Sequence, residues 1–161
     1  MKHKAYIGLG GNLGNVSENF DSALKQLDAF NQIQVCVVSS RYSSAPVGYA
    51  DQPDFINAVA KLDTDLSSSE LLTVMQEIET ALHRVRSDNQ FGPRTLDLDL
   101  LLFDEEVQDS DFLTLPHPRM HDRRFVLEPL VEIAPQLEIP GRGRAIDLLA
   151  AVQDQSVEKH T

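Results

Sequence analysis

The sequence predicts an α+β fold: a ferredoxin-like βαββαβ core with an added hairpin and C-terminal helices, its helices on one face of an antiparallel sheet. Three observations carry this. The stretch Leu96-Asp97-Leu98-Asp99-Leu100-Leu101-Leu102-Phe103 begins by alternating with period two, the spacing of a strand. Two stretches with apolar residues at helical spacing each follow a capping signal. Around them, apolar runs give the order strand, helix, strand, strand, helix, strand, which is the split βαβ arrangement.

Each element has its own reason. His3 to Gly10 reads as the first strand and ends in the turn Gly10-Gly11-Asn12-Leu13-Gly14-Asn15. A helix follows, with Phe20, Ala23, Leu24, Leu27 and Phe30 on one stripe, Asn15 as N-cap and Glu18 three residues on. Ile33 to Tyr42 alternates as a second strand, and a loop with Pro46, Gly48 and Pro53 leads to a third from Phe55 to about Leu62. Ser67 with Glu70 repeats the capping box and opens a helix to about Val85, whose stripe is Leu71, Met75, Ile78 and Leu82. After an irregular stretch from Arg86 to Pro93 comes the aspartate strand. A hairpin is expected around 104–115, a helix from Arg123 or Arg124 to about Ile133, and a short helix over 146–152. From about Gln153 the tail is polar and expected to fray.

At 161 residues the whole chain, 1–161, reads as one domain with room for a genuine core. No apolar run approaches the ~20 residues of a membrane span, and Met1-Lys2-His3-Lys4 opens no signal peptide, so a cytoplasmic protein is expected. Cys36 lies alone in an apolar stretch and reads as a buried thiol, which suits a reducing compartment. A net charge of −11 argues against nucleic acid and against an anionic membrane as partners.

The informative feature is the aspartate pair. On a strand Asp97 and Asp99 share one face, with Leu96, Leu98, Leu100 and Leu102 on the other. Same-face neighbours stand roughly 7 Å apart, so both carboxylates reach one cation or a pair of cations. The alternative is a strand whose outer face is simply wet. Six of the nine arginines (Arg84, Arg86, Arg94, Arg119, Arg123, Arg124) fall between 84 and 124, a stretch without lysine. Guanidinium forks grip phosphate oxygens bidentately, so this segment beside the carboxylates suggests a small polyphosphate held through a divalent metal. Surface ion pairs are the competing account of some of these arginines.

Other motifs divide. The glycine turn lacks the spacing of a dinucleotide fingerprint, since Leu13 stands where glycine is needed, and no Gly-Lys dipeptide makes a Walker A loop. Strand-to-helix turn chemistry explains it better. His117 and His121 are four apart, yet Pro116 and Pro118 flank the first and no acidic partner completes a zinc motif. A histidine fixed between prolines suits a donor to phosphate or nucleotide. Phe55 and Phe125, at a strand start and near a helix start, are either core or the jaws of a flat-ring pocket, and Asn57 offers an amide on the same strand face as Phe55.

Four motifs occur in order: Tyr6-Ile7-Gly8-Leu9-Gly10-Gly11-Asn12-Leu13-Gly14, Asp51-Gln52-Pro53-Asp54-Phe55-Ile56-Asn57, Gly92-Pro93-Arg94-Thr95-Leu96-Asp97-Leu98-Asp99 and Pro116-His117-Pro118-Arg119-Met120-His121. Through them the chain closely resembles the 6-hydroxymethyl-7,8-dihydropterin pyrophosphokinases of folate biosynthesis, from about Lys4 to Pro140. The block at 92–99 is the specific one. Gly11 stands where the family commonly has serine, and Ser44 where it has threonine. The resemblance implies that Asp97 and Asp99 hold two Mg2+ ions on the phosphates of ATP, the co-substrate. It places the pterin between Phe55 and Phe125, read by Asn57 and by backbone of Ser44, Ala45, Pro46 and Val47. Arg84, Arg94, His117 and Arg123 would line the triphosphate, with Arg84 and Arg94 acting in catalysis beside the aspartates. Gln76 and Glu79 lie near the ATP, and Leu100 and Thr114 correspond to adenine-side backbone contacts.

The implied reaction is attack of the pterin hydroxymethyl oxygen on the β-phosphorus of ATP, releasing AMP. Catalysis of this kind is mostly alignment and charge neutralisation. Asp99, rather than Asp97, is the expected aid to proton loss, and the protein is expected to act as a monomer. Two other readings stay open: a non-catalytic domain binding nucleotide or metal, and a phosphotransferase that releases ADP.

Overall fold

The computed structural model describes residues 1–45, 54–83 and 96–160. Its elements in chain order are β1 (His3–Gly11), α1 (Val16–Asp28), β2 (Ile33–Val38), β3 (Tyr42–Ser44), β4 (Phe55–Thr64), α2 (Ser68–His83), β5 (Asp97–Phe103), β6 (Gln108–Asp109), β7 (Thr114–Leu115), α3 (Arg124–Ile133), β8 (Glu138–Ile139), β9 (Gly143–Arg144), α4 (Ala145–Ala150) and β10 (Val157–Lys159). A 3-10 turn, Met120–Asp122, precedes α3. The main sheet runs β10-β3-β4-β1-β5, with β2 also on β4, and every pairing is antiparallel. The expected second strand is thus two, broken at 39–41, both laid along β4.

The capping signals act as read. Asn15 accepts the Glu18 N–H at 3.2 Å, and Gly14 before it takes φ 74, a left-handed value suited to glycine. Ser67 and Glu70 close a reciprocal box: the Ser67 N–H donates to Glu70 Oε1 at 2.9 Å, and the Glu70 N–H to Ser67 Oγ at 3.2 Å. The helices so started pack Phe20 and Leu27 of α1 and Leu71 and Met75 of α2 against Ile7, Leu9, Leu62 and Leu98 on one face of the sheet. Each such side chain, fully buried, contributes roughly 1.5–3 kcal/mol.

Four expectations are corrected. The helices do not all lie on one face: α3 and α4 build a second core on the other, where Val126, Leu127, Leu130 and Leu149 meet Val59, Leu101 and Leu102. The amphipathic stripe of α3 needs apolar cover, and β4 and β5 supply it. Leu102 does not share a face with Leu96, Leu98 and Leu100. Tyr6 pairs with Leu102 and Ile7 with Leu100, so Leu101 is an inserted residue, and this bulge sends Leu101 and Leu102 together into the second core. Cys36 is exposed rather than buried, because Val35 and Val37 take successive partners on β4 and leave it outside the ladder. Finally, the polar tail does not fray. β10 extends the sheet beside β3, with Val157 opposite Ser44, and Gln155 ties the tail to the start of α3.

Candidate active site

The site follows from strand register. On the second face of the sheet β1 presents Gly8 and Gly10, which carry no side chains. Gly10 stands between Asn57 on β4 and Asp97 on β5; Gly8 stands between Val59 and Asp99. With neighbouring strands about 4.8 Å apart, Asn57 and Asp97 are held roughly 10 Å apart over a bare floor. A Cβ on Gly10 would come within 2.9 Å of Asn57 Oδ1, so that amide occupies room only glycine leaves. Its Nδ2 donates to Ser44 Oγ at 3.3 Å.

Two cavities meet at the aspartates. The first, of about 550 Å³, is lined by Ser44, Ala45, Phe55 and Asn57 and, from the start of α3, by Arg123 and Phe125. The second, of about 440 Å³, is lined by Gln76 and Glu79 of α2, by Leu100, and by Thr114 and His117. Asp97 and Asp99 line both. Of the residues expected in the site, Pro46, Val47, Arg84 and Arg94 lie outside the described residues.

The electrostatics favour a cation at the junction. Asp99 reaches water at the cleft mouth, yet the protein mass around its carboxyl raises it above the ordinary value, and the Arg123 guanidinium only partly offsets this. Arg123 itself lies 5.5 Å from the Phe125 ring centroid. Glu79 accepts the Leu98 N–H at 2.8 Å, so α2 grips the backbone between the two aspartates. Among the described residues no three ligating side chains cluster for a metal. Two carboxylates with an open side suit magnesium, which takes few protein ligands and fills its octahedron with phosphate oxygens and water.

His117 is held neutral. Burial first, then Arg123, Arg142 and Arg119, depress its ring to about 4. Nδ1 accepts the Arg119 N–H at 3.2 Å, which leaves the ring proton on Nε2 as a donor. Its backbone N–H donates to the Leu101 carbonyl at 2.9 Å.

Several site residues escaped the sequence reading. Arg142 donates to the His117 carbonyl at 2.6 Å and to the Pro116 carbonyl at 3.4 Å, fixing that turn from a distant segment. No sequence signal points from residue 142 to 117. Asp122 and Gln155 line the first cavity. Gln155 Nε2 donates to the Asp122 carbonyl at 2.7 Å, and the Arg124 N–H donates to Gln155 Oε1 at 2.9 Å. Arg119 also lines it; the sequence marked it through the arginine clustering and the motif at 116–121, without assigning it a role.

The site thus consists of two pockets that share one carboxylate pair, on a sheet with helices on both faces. The family model for 7,8-dihydro-6-hydroxymethylpterin-pyrophosphokinase matches residues 6–135. The chain belongs to this family. It is 43% identical to the 2-amino-4-hydroxy-6-hydroxymethyldihydropteridine pyrophosphokinase of Pseudomonas aeruginosa over 159 residues, covering 99% of this chain and 98% of that one. The Haemophilus influenzae enzyme of the same name is 43% identical over 155 residues, 96% of each chain. Among solved structures, an HPPK-DHPS in complex with substrates superposes with a TM-score of 0.72 at 10% identity, covering 96% of this chain and 44% of that one. A Plasmodium falciparum HPPK-DHPS triple mutant gives 0.73 at 12% identity, over 92% and 43%. The chain therefore spans less than half of these structural neighbours, and at such identities they speak for the fold.

Proposed function

We propose that the protein transfers pyrophosphate from ATP to the hydroxymethyl group of 6-hydroxymethyl-7,8-dihydropterin, giving AMP and the pterin diphosphate in folate biosynthesis. The observation that carries this is the carboxylate pair at the junction of two cavities, one of them walled by Phe55, Phe125 and Asn57. The pterin lies in the first cavity, its ring between the two phenyls and its edge on Asn57 and the backbone of 44–47. The triphosphate crosses the aspartates into the second cavity, where His117 donates through Nε2, and Arg123 supplies positive charge from the lining of the first. Arg84 and Arg94 complete the phosphate contacts.

The hydroxymethyl oxygen attacks the β-phosphorus, and the bond from β-phosphorus to the bridging oxygen breaks. AMP leaves with that oxygen. The hydroxyl proton departs toward Asp99. Asp97 and Asp99 would hold two Mg2+ ions, which when bound neutralise the phosphate charge. Alignment across the shared wall supplies most of the rate.

The reading extends to the whole chain. The order of β2/β3, β4, β1 and β5, with α1 and α2 between successive strands, supports a ferredoxin-like core. Residues 1–161 act as one pyrophosphokinase domain, a monomer. No helix among the described residues is long and apolar enough to cross a membrane, which accords with a cytoplasmic enzyme. Mixing protein, ATP, magnesium and the reduced hydroxymethylpterin tests the assignment by product analysis. AMP that forms only with pterin supports it. ADP would replace it with an ordinary kinase, and no turnover by folded protein would leave a binding domain.

A further inference from the structure

The hairpin of β6 and β7 carries a half-exposed aromatic ring. Phe112 is 51% exposed, while its neighbour Leu113 is buried in the first core. The turn between them and β6 is fixed: the Ser110 N–H donates to the Leu113 carbonyl at 3.0 Å, and the Leu113 N–H to Ser110 Oγ at 3.1 Å. Ser110 Oγ donates back to the Leu113 carbonyl at 2.9 Å. The turn thus holds a half-exposed phenyl in a fixed place. Phe112 stands on the wall of the second cavity, with Leu100, Thr114 and His117. Among the described residues it is the one phenyl lining that cavity; the phenyls of Phe55 and Phe125 belong to the first.

We propose that Phe112 stacks on the nucleobase of the triphosphate and so adds base-dependent affinity at the second cavity. This rests on the reading of the second cavity as the nucleotide site and adds to it a side-chain recognition element. A π-face tolerates any base but grips a purine better than a pyrimidine, because the overlapped area is larger. Removing a base-stacking aromatic weakens binding by roughly 10-fold, within a range that runs from several-fold to about 100-fold. The backbone of the hairpin does not depend on the ring, so the loss falls on the base and not on the phosphates.

The chain contains no tryptophan, so Phe112→Trp introduces a single reporter. The experiment titrates α,β-methylene-ATP with magnesium into wild type, Phe112→Ala, Phe112→Tyr and Phe112→Trp, by calorimetry and, for the last, by fluorescence. Inorganic tripolyphosphate serves as the baseless control. The expected result is a roughly 10-fold weaker Kd for Phe112→Ala, recovery in Phe112→Tyr, quenching of the Phe112→Trp emission by the nucleotide, and unchanged tripolyphosphate binding. Equal nucleotide affinity in wild type and Phe112→Ala overturns the assignment to Phe112 while leaving the nucleotide site intact. An equal loss for nucleotide and tripolyphosphate overturns it too, as a disturbed hairpin. No nucleotide binding by wild type removes the site itself, and the proposal with it.

Discussion

Charge at single residues makes the sharpest predictions. Asp99 has a folded-state pKa above its unfolded value, because burial disfavours the carboxylate. The folded state then binds more protons in that window, so ionised Asp99 costs stability at neutral pH, and the cost disappears as pH falls through the folded value. Asp99→Asn should therefore keep or raise the thermal midpoint at pH 7 while lowering turnover roughly 100-fold or more. A midpoint that drops would mean the carboxylate holds the fold rather than serving the site. His117 is the opposite case. Its ring sits near 4 when folded and 6.5 when unfolded, so its contribution is present above 6.5 and is lost as pH falls from 6.5 toward 4. In urea melts, His117→Asn should show a flatter loss of stability across that window than wild type, and the wild-type ring should not titrate by NMR between pH 5.5 and 8. An NMR midpoint near 6.5 would contradict the burial argument.

Elements place those residues, and helix α2 is the clearest example. Its capping box anchors the first turn, and its Glu79 two turns and more along holds the Leu98 N–H. Ser67→Ala removes a hydroxyl cap and should cost about 1 kcal/mol in denaturant unfolding. Ser67→Asp, which also caps, should restore most of it; failure of that rescue would show the hydroxyl acting elsewhere. This element was legible in the sequence because its signals are local: Ser67 and Glu70 are three apart, and the stripe through Leu71, Met75 and Ile78 has helical period. The aspartate face was legible for the same reason, since Asp97 and Asp99 obey period two. What could not be read are the features set by a partner strand. The bulges at Cys36 and Leu101 exist only in register with β4 and β1. A thiol judged by its neighbours in sequence came out exposed, and Leu102 came out on the other face.

At the scale of the molecule, the two ends of the chain's logic meet around the first cavity. Gln155 binds the Asp122 carbonyl and the α3 start, and β10 pairs with the strand that carries Ser44. Polarity made this tail look frayed; its hydrogen bonds find their partners only in three dimensions, as do those of Arg142 to the turn of His117. Deleting residues 153–161 should lower the thermal midpoint and raise the KM for the pterin several-fold, with the KM for ATP little changed. Equal increases in both constants would assign the tail to general stability instead of to one wall.

The inserted residue in β5 has a further meaning. Asp99 and Leu101 face the cleft side in step, and Leu102 then repeats that side where Phe103 returns to the first core. The strand is in effect read in two frames, one for chemistry and one for closure, joined at a single position. Any change of length between Asp99 and Phe103 by one residue would exchange the inward and outward halves of one frame. Such a change can keep every residue type and the overall composition, and still turn the carboxylates or the second core inside out. Length in this segment is therefore constrained by parity more tightly than identity is constrained by size.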